Sequence, residues 1–269
     1  METPMPWILG LSPSFSVPVA AVLGLVLGSF YTACIHRYVA ELSLIRPLRS
    51  FCPHCGTSLA WYDNLPLLSY LLLRGRCRHC KRPIGLRYPA VEFLSLAWAV
   101  ALVLKFGLSL PWLIYMVFGG LFIVGSFIDF ELYILPNRIT LGGAVLALAV
   151  QAFFGWAALK GALVGAMAGG GFFWVLQQGY RIVRREEGLG TGDVKLMLCI
   201  GALVGVGGLP MTILAAAVSA LAASVVYMRH PDGSGVRTRI PFGPFLCLGA
   251  MLHILAGNEV LAWYFSLYR

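Results

Sequence analysis

Charge is what this chain has least of. Only 12% of its 269 residues are Asp, Glu, Lys or Arg, while 59% are hydrophobic. Soluble domains carry about 25% charged residues, so this composition, with a mean hydropathy of +0.82, excludes one. Basic residues are missing from Met1 to Ser16, and no small-residue cleavage pattern is present there, so a cleaved signal peptide is not expected. No G-x-G-x-x-G follows a strand-like run, so the dinucleotide-type phosphate cradle is absent and no nucleotide-like donor site is located by motif. No internal repeat is visible either. The formal net charge of +9 does not call for nucleic acid, because the basic residues flank the ends of apolar runs.

What is present is a succession of those runs. They cover roughly 17–38, 90–107, 111–128, 139–155, 159–180, 195–207, 210–228 and 243–265, against a requirement of about 20 residues for a span. The chain therefore reads as an all-α polytopic membrane protein of about eight transmembrane helices. Its parts are a first helix over 1–40, a polar loop domain over 41–88, and a membrane domain over 89–269. The two runs between Lys195 and Tyr227 are short, and Gly205-Val-Gly-Gly-Leu-Pro210 between them is turn chemistry, which favours two helices over one. Charge supports that parity. Nine of the 20 Lys and Arg lie between Arg37 and Arg87, against two acids, Glu41 and Asp63. With eight spans, 17 basic residues share one side and only Lys105, Lys160 and Arg269 lie opposite. The positive-inside rule then places the long loop of this multi-pass protein in the cytoplasm, with both termini outside.

The long loop holds Cys52-Pro-His-Cys55-Gly56 and Cys77-Arg-His-Cys80-Lys81. Two C-x-x-C knuckles at this spacing predict one tetrahedral zinc on four thiolates, Cys52, Cys55, Cys77 and Cys80. A reducing cytoplasm disfavours disulfides. Four sulfurs leave no open position, so the ion is structural and folds a loop too polar to build a core alone. His54 and His79 are expected to point outward. Cys34, Cys199 and Cys247 sit in apolar runs and read as small hydrophobes. Asp63 and Asn64, in Trp61-Tyr-Asp-Asn64 between the knuckles, read as local turn formers, with a substrate-facing role as the alternative.

Two acids remain at the ends of apolar runs. Asp129 closes Leu121–Ile128, and Asp193 follows Gly190-Thr191-Gly192. A carboxylate at membrane depth costs roughly 2.5–3.5 kcal/mol on insertion scales and is kept only where it faces protein or water. Peptide hydrolysis by a carboxylate pair needs one ionised member to take a proton from water and one protonated member to polarise the carbonyl. Two aspartates held close together share one proton, which meets that need. Gly190 and Gly192, lacking side chains, admit a substrate backbone beside the acid, and they also suit a helix-start turn. Lys195, two residues along the helix, is off the face of Asp193 and marks the membrane boundary. Glu131, Glu186 and Glu187 read as solvated acids, and His36 and Arg37 as interfacial anchors. Glu92, one turn into its helix, is a candidate for binding a substrate or donor amine.

These motifs together resemble the type IV prepilin peptidases, over nearly the whole chain. The resemblance rests on Gly28-Ser29-Phe30, the two knuckles around Trp61-Tyr62-Asp63-Asn64, Arg87-Tyr88-Pro89 with Glu92, Ile128-Asp129 with Leu135-Pro136, and Gly190-Thr-Gly-Asp193-Val-Lys195. It implies an intramembrane aspartic peptidase domain over 89–269, with Asp129 and Asp193 as the catalytic pair. It further implies cleavage of prepilin or pseudopilin leaders after a Gly at the cytoplasmic membrane edge. The new amine is then methylated from S-adenosylmethionine. Partners are thus pilin-like substrates and the lipid bilayer, without nucleic acid. Thr32 stands where the family usually has Asn, in a helix associated with methyl transfer. Asn137 stands where an Asp commonly follows Leu-Pro, which narrows the acid pair to Asp129 and Asp193. Two readings compete. A proton-coupled transporter predicts acids buried mid-helix and internal repeats, and a zinc-loop scaffold for pilus or secretion assembly predicts that both aspartates are dispensable.

Overall fold

The computed structural model describes residues 12–43, 50–186, 188–228 and 240–267. Arg46, Arg49, Arg229, Arg237, Arg239 and Arg269, which weigh in the charge parity, lie outside the described residues, as does Glu187. The order of elements is α1 (Pro13–Val39), a 3-10 turn (Trp61–Asn64), α2 (Leu68–Leu72), α3 (Arg87–Phe106), α4 (Leu110–Leu132), α5 (Asn137–Phe153), α6 (Trp156–Arg184), α7 (Thr191–Met228) and α8 (Gly243–Ser266). Six of these, α1, α3, α4, α6, α7 and α8, are long and apolar enough to cross a membrane, and α5 is a shorter apolar helix. The chain is an all-α polytopic membrane protein. The two short helices expected near 195–228 appear as α7 broken at Gly205, whose φ of 67° is non-helical. The break falls at the first residue of the turn-like stretch rather than across it. The remaining five residues through Pro210 already belong to the second half.

The chain divides into two compact units, Met1–Val124 and Gly125–Arg269, the division falling inside α4. In the first unit, α1 carries two stripes at four-residue spacing. Small residues Ser16, Ala20, Gly24, Gly28 and Thr32 are buried, while Val22, Val26 and Phe30 are exposed. Without a hydrophobic drive between helices in lipid, association favours small residues that let backbones approach closely. α3 is that partner. A Cβ on Gly24 would lie 2.7 Å from Ala99 Cβ, and one on Gly28 would lie 2.8 Å from Glu92 Cα. The Thr32 hydroxyl donates to the Gly28 carbonyl at 2.9 Å, so its polarity is consumed inside α1. Trp98 Nε1 donates to the Tyr115 carbonyl at 3.0 Å and Trp112 Nε1 to the Ala99 carbonyl at 3.2 Å, joining α3 to the first part of α4.

In the second unit α6 packs on α7 by the same means. A Cβ on Gly165 would fall on the Gly201 carbonyl and one on Gly201 on the Gly165 carbonyl. α8 meets α7 where Gly249 lies against the Thr212 backbone. Ile128, Leu196, Met197, Ile200 and Leu246 form the fully buried centre.

The Gly165–Gly201 approach predicts a steep penalty for bulk. Gly201→Leu should destabilise the detergent-solubilised protein by about 1–3 kcal/mol, the range for overpacking, whereas Gly161→Leu, on α6 with no atom within 4 Å of its new Cβ, should not. Thermal melts of the two variants check this, and equal melting temperatures would contradict the close packing.

Candidate active site

Asp129 and Asp193 are both buried in the second unit, at 6% and 8% exposure. They reach it from opposite helix ends. Asp129 lies in the last turn of α4, which closes at Tyr133 with a left-handed φ of 55°. Asp193 lies in the first turn of α7, where the positive end of the helix favours a carboxylate. Both acids therefore sit at helix ends, not mid-helix, contrary to what a proton relay through a bundle predicts.

Asp129 is at the unfavourable, negative end of its own helix. Compensation comes from α8. The backbone N–H of Gly243, first residue of α8, donates to the Asp129 carboxylate, using one of the four N–H groups that every helix start leaves unpaired. One turn deeper, Ser126 on α4 and Cys247 on α8 share a hydrogen bond. Asp193 receives the N–H of Gly190, and its own N–H donates to the Gly190 carbonyl at 3.1 Å.

The glycines are tightly placed. A Cβ on Gly190 would lie 3.3 Å from Asp193 Oδ2. One on Gly192 would lie 3.1 Å from Leu135 Cβ, and one on Gly243 would lie 2.6 Å from Asp129 Oδ2 and 2.9 Å from Leu135 Cδ1. Leu135 thus packs beside the backbone next to both acids. Gly243 escaped the sequence reading. Its only local signal is Pro241-Phe-Gly-Pro244, in which a proline in the first turn marks a helix start. Lys195, read as a boundary marker, donates from Nζ to Asn137 Oδ1 at 2.9 Å and ties the start of α7 to the start of α5.

In the first unit the four cysteines converge. The Sγ atoms of Cys52, Cys55, Cys77 and Cys80 lie within 4.8 Å of one another, and Cys52 and Cys80 are 3.9 Å apart. A tetrahedron with Zn–S bonds of about 2.3 Å has edges of roughly 3.8 Å, so the donor set fits zinc. The knuckles share one hydrogen-bond pattern. Cys52 N–H donates to Thr57 O at 3.0 Å and Gly56 N–H to Cys52 O at 2.9 Å; Cys77 N–H donates to Arg82 O at 2.9 Å and Lys81 N–H to Cys77 O at 3.0 Å. The residue after the second cysteine takes a positive φ in both, 69° at Gly56 and 59° at Lys81. Hydrogen bonding with Thr57 holds the Cys55 thiol well below the usual range, at about 6, while Cys80 in the same cluster is pushed up to about 11 by desolvation and its neighbouring thiols. His54 turns away to Arg82, Nδ1 to Nη1 at 3.2 Å. Asp63, read as a turn former, clasps Arg78 of the second knuckle, with Nη2 to Oδ1 at 2.7 Å. Glu92 is engaged too: its Oε2 accepts the Leu67 N–H at 2.7 Å.

A polytopic helical chain with a buried carboxylate pair and a four-thiol cluster has the features of a membrane aspartic peptidase. Family comparison agrees: residues 22–106 match the bacterial peptidase A24 N-terminal domain, and 116–225 match the type IV leader peptidase family. The chain belongs to the type IV leader peptidase family. It is 35% identical to the prepilin leader peptidase/N-methyltransferase of Burkholderia pseudomallei (strain 1026b), over 95% of this chain and 90% of that protein. It is 33% identical to the proteins of the same name in Pseudomonas putida (94% and 95% covered) and Neisseria gonorrhoeae (93% and 93%). No solved structure matches the chain. The chain is accordingly a multi-pass bacterial membrane protein and a peptidase.

A methyl group at Gly243 would displace the Asp129 carboxylate. Displacements of about 1 Å cost on the order of 10²-fold in rate, so Gly243→Ala should lower kcat for leader cleavage by that order. Gly142→Ala and Gly171→Ala, whose new Cβ atoms meet nothing within 4 Å, should leave it unchanged. Cleavage assays on a prepilin peptide, with circular dichroism as the folding control, decide the matter; near-normal turnover in Gly243→Ala would refute the placement.

Proposed function

We propose that the protein removes the leader peptide of type IV prepilins or type II secretion pseudopilins and then methylates the new N-terminus. The observation that carries the reading is the buried pair Asp129 and Asp193, beside which Gly243 and Gly192 both close on Leu135, in a chain of the leader peptidase family. The ionised aspartate takes a proton from water as its oxygen bonds to the scissile carbonyl carbon. The protonated partner gives its proton to the carbonyl oxygen. Collapse of the tetrahedral adduct breaks the C–N bond, and the proton gained from water passes to the leaving amine. Gly190 and Gly192 keep side chains away from the approach to Asp193, and Gly243 N–H orients Asp129. S-adenosylmethionine supplies the methyl group for the freed amine.

Eight crossings, with the loop at 41–88 on the cytoplasmic side of the inner membrane, follow from the 17-to-3 division of basic residues. Both acids then lie at the cytoplasmic ends of their helices, where a short basic leader meets an apolar pilin helix. In that arrangement residues 89–269 form the peptidase domain, and Cys52, Cys55, Cys77 and Cys80 hold one structural zinc that folds the loop.

The catalytic reading is tested by incubating purified protein with a prepilin peptide, with and without S-adenosylmethionine, and weighing the products. Because the pair shares one proton, Asp129→Asn or Asp193→Asn alone should abolish cleavage and the double variant should be no worse. Glu131→Gln and Glu186→Gln should stay active. A single Asp→Asn variant that cleaves at near-normal rate would sink the mechanism.

The zinc reading predicts one ion per chain and less metal in any Cys→Ser variant, together with faster proteolysis of the loop. Elemental analysis finding no zinc in protein prepared without chelators would overturn it.

A further inference from the structure

Leu67 has a left-handed φ of 57°, a conformation unusual for a leucine. The Leu68 N–H donates to the Pro66 carbonyl at 2.6 Å, a three-residue turn centred on Leu67, and the Leu67 N–H donates to Glu92 Oε2 at 2.7 Å. Glu92 lies on α3, five residues past Arg87, about 8 Å along the helix axis. α3 has 20 residues, about 30 Å of helix, which is the thickness of the bilayer hydrocarbon with no length to spare. The Arg87 end therefore sits at the interface and Glu92 beneath it. Leu67, the residue from which α2 starts, is tethered at that depth.

α2 has the surface for such a place. Leu68, Leu71 and Leu72 are 52%, 71% and 72% exposed, and Trp61 in the adjoining 3-10 turn is 78% exposed. On α3, Phe93 and Leu94 beside Glu92 are exposed as well, so the apolar surface of the loop adjoins the lipid-facing surface of a spanning helix. Arg74 and Arg76 follow directly after α2. Apolar side chains on one side, an aromatic residue and basic residues at the end are the composition of an element that lies in the membrane interface.

We propose that α2 and the 3-10 turn form an interfacial anchor held at depth by Glu92. Leu68, Leu71 and Leu72 seat against acyl chains, Trp61 lies at headgroup level, and Arg74 meets anionic headgroups. The loop domain is then fixed to the bilayer by its own middle, not only by α1 and α3 at its ends.

The test places photoreactive p-benzoylphenylalanine at Leu71 in the full-length, zinc-loaded protein. The protein sits in nanodiscs of phosphatidylethanolamine and phosphatidylglycerol, with a prepilin peptide in solution. Adducts are identified by mass spectrometry. Lipid adducts should form within about twofold of the yield from a probe at Leu104, which is exposed on the span of α3, as expected for a side chain buried several ångströms below the headgroups. A probe at Arg82, exposed on the second knuckle, should give few. Glu92→Gln keeps a carbonyl acceptor for Leu67 and should preserve the lipid adducts, whereas Glu92→Leu should reduce them several-fold. Adducts from position 71 that go mainly to the peptide, or lipid yields no higher than from Arg82, overturn the proposal. So does an undiminished yield in Glu92→Leu.

Discussion

A carboxylate buried at the carboxyl end of a helix is the constraint on which the second unit depends. Asp129 lies in the last turn of α4, at the negative end of the helix, which repels a carboxylate. The N–H of Gly243 offsets this by bringing the positive end of α8 to the same carboxylate. Asp193 needs no such foreign helix, since it begins α7 and has the Gly190 N–H beside it. Two acids are thereby made tolerable by two different helix starts. The glycines at 192 and 243 follow from the same geometry, because both backbones must close around Leu135.

Bringing three helix ends together requires the helices themselves to be close and rigid. In lipid that closeness comes from glycine. Gly165 against Gly201 fixes α6 to α7, and Gly249 against Thr212 fixes α7 to α8. The break at Gly205 lies between these two contacts along α7. The half that carries Asp193 packs on α6, and the other half packs on α8, whose start carries Gly243. A straight α7 would have to satisfy both neighbours with one axis.

Much of this was legible in the chain, and the reason it was legible is local. Apolar run length gave the helices, and the Gly-rich stretch at 205–210 gave the break, although only Gly205 leaves the helical conformation. The C-x-x-C pairs gave the thiol cluster, because a metal site restricts ligand spacing so severely. Asp129 and Asp193 stand out by position at two apolar boundaries, and both are buried. What escaped were contacts between polar groups far apart in sequence. Gly243 with Asp129, Lys195 with Asn137 and Asp63 with Arg78 each join residues whose local context suggests a milder role. Asn137 is instructive. Read as a departure that removes a third acid, it turns out to be the acceptor for Lys195, a contact that an amide oxygen makes without adding charge beside the pair.

The loop between the knuckles is joined by three attachments that respond to different conditions. The thiol cluster, with the zinc proposed for it, depends on metal and on the thiolate state of its ligands. The Arg78–Asp63 pair joins a half-exposed guanidinium to a carboxylate that is only 4% exposed, so salt reaches it from the Arg78 side. The Glu92–Leu67 bond sits on a spanning helix, away from bulk water, where an unmade hydrogen bond is costly. Chelation removes the first and high ionic strength the second, but neither reaches the third. Partial unfolding of the loop should therefore start at the knuckles and leave the Leu67 end of α2 on α3. The left-handed Lys81 fits that order, since a lysine held at positive φ, where Gly56 serves in the other knuckle, makes the second knuckle the more dependent on the proposed zinc.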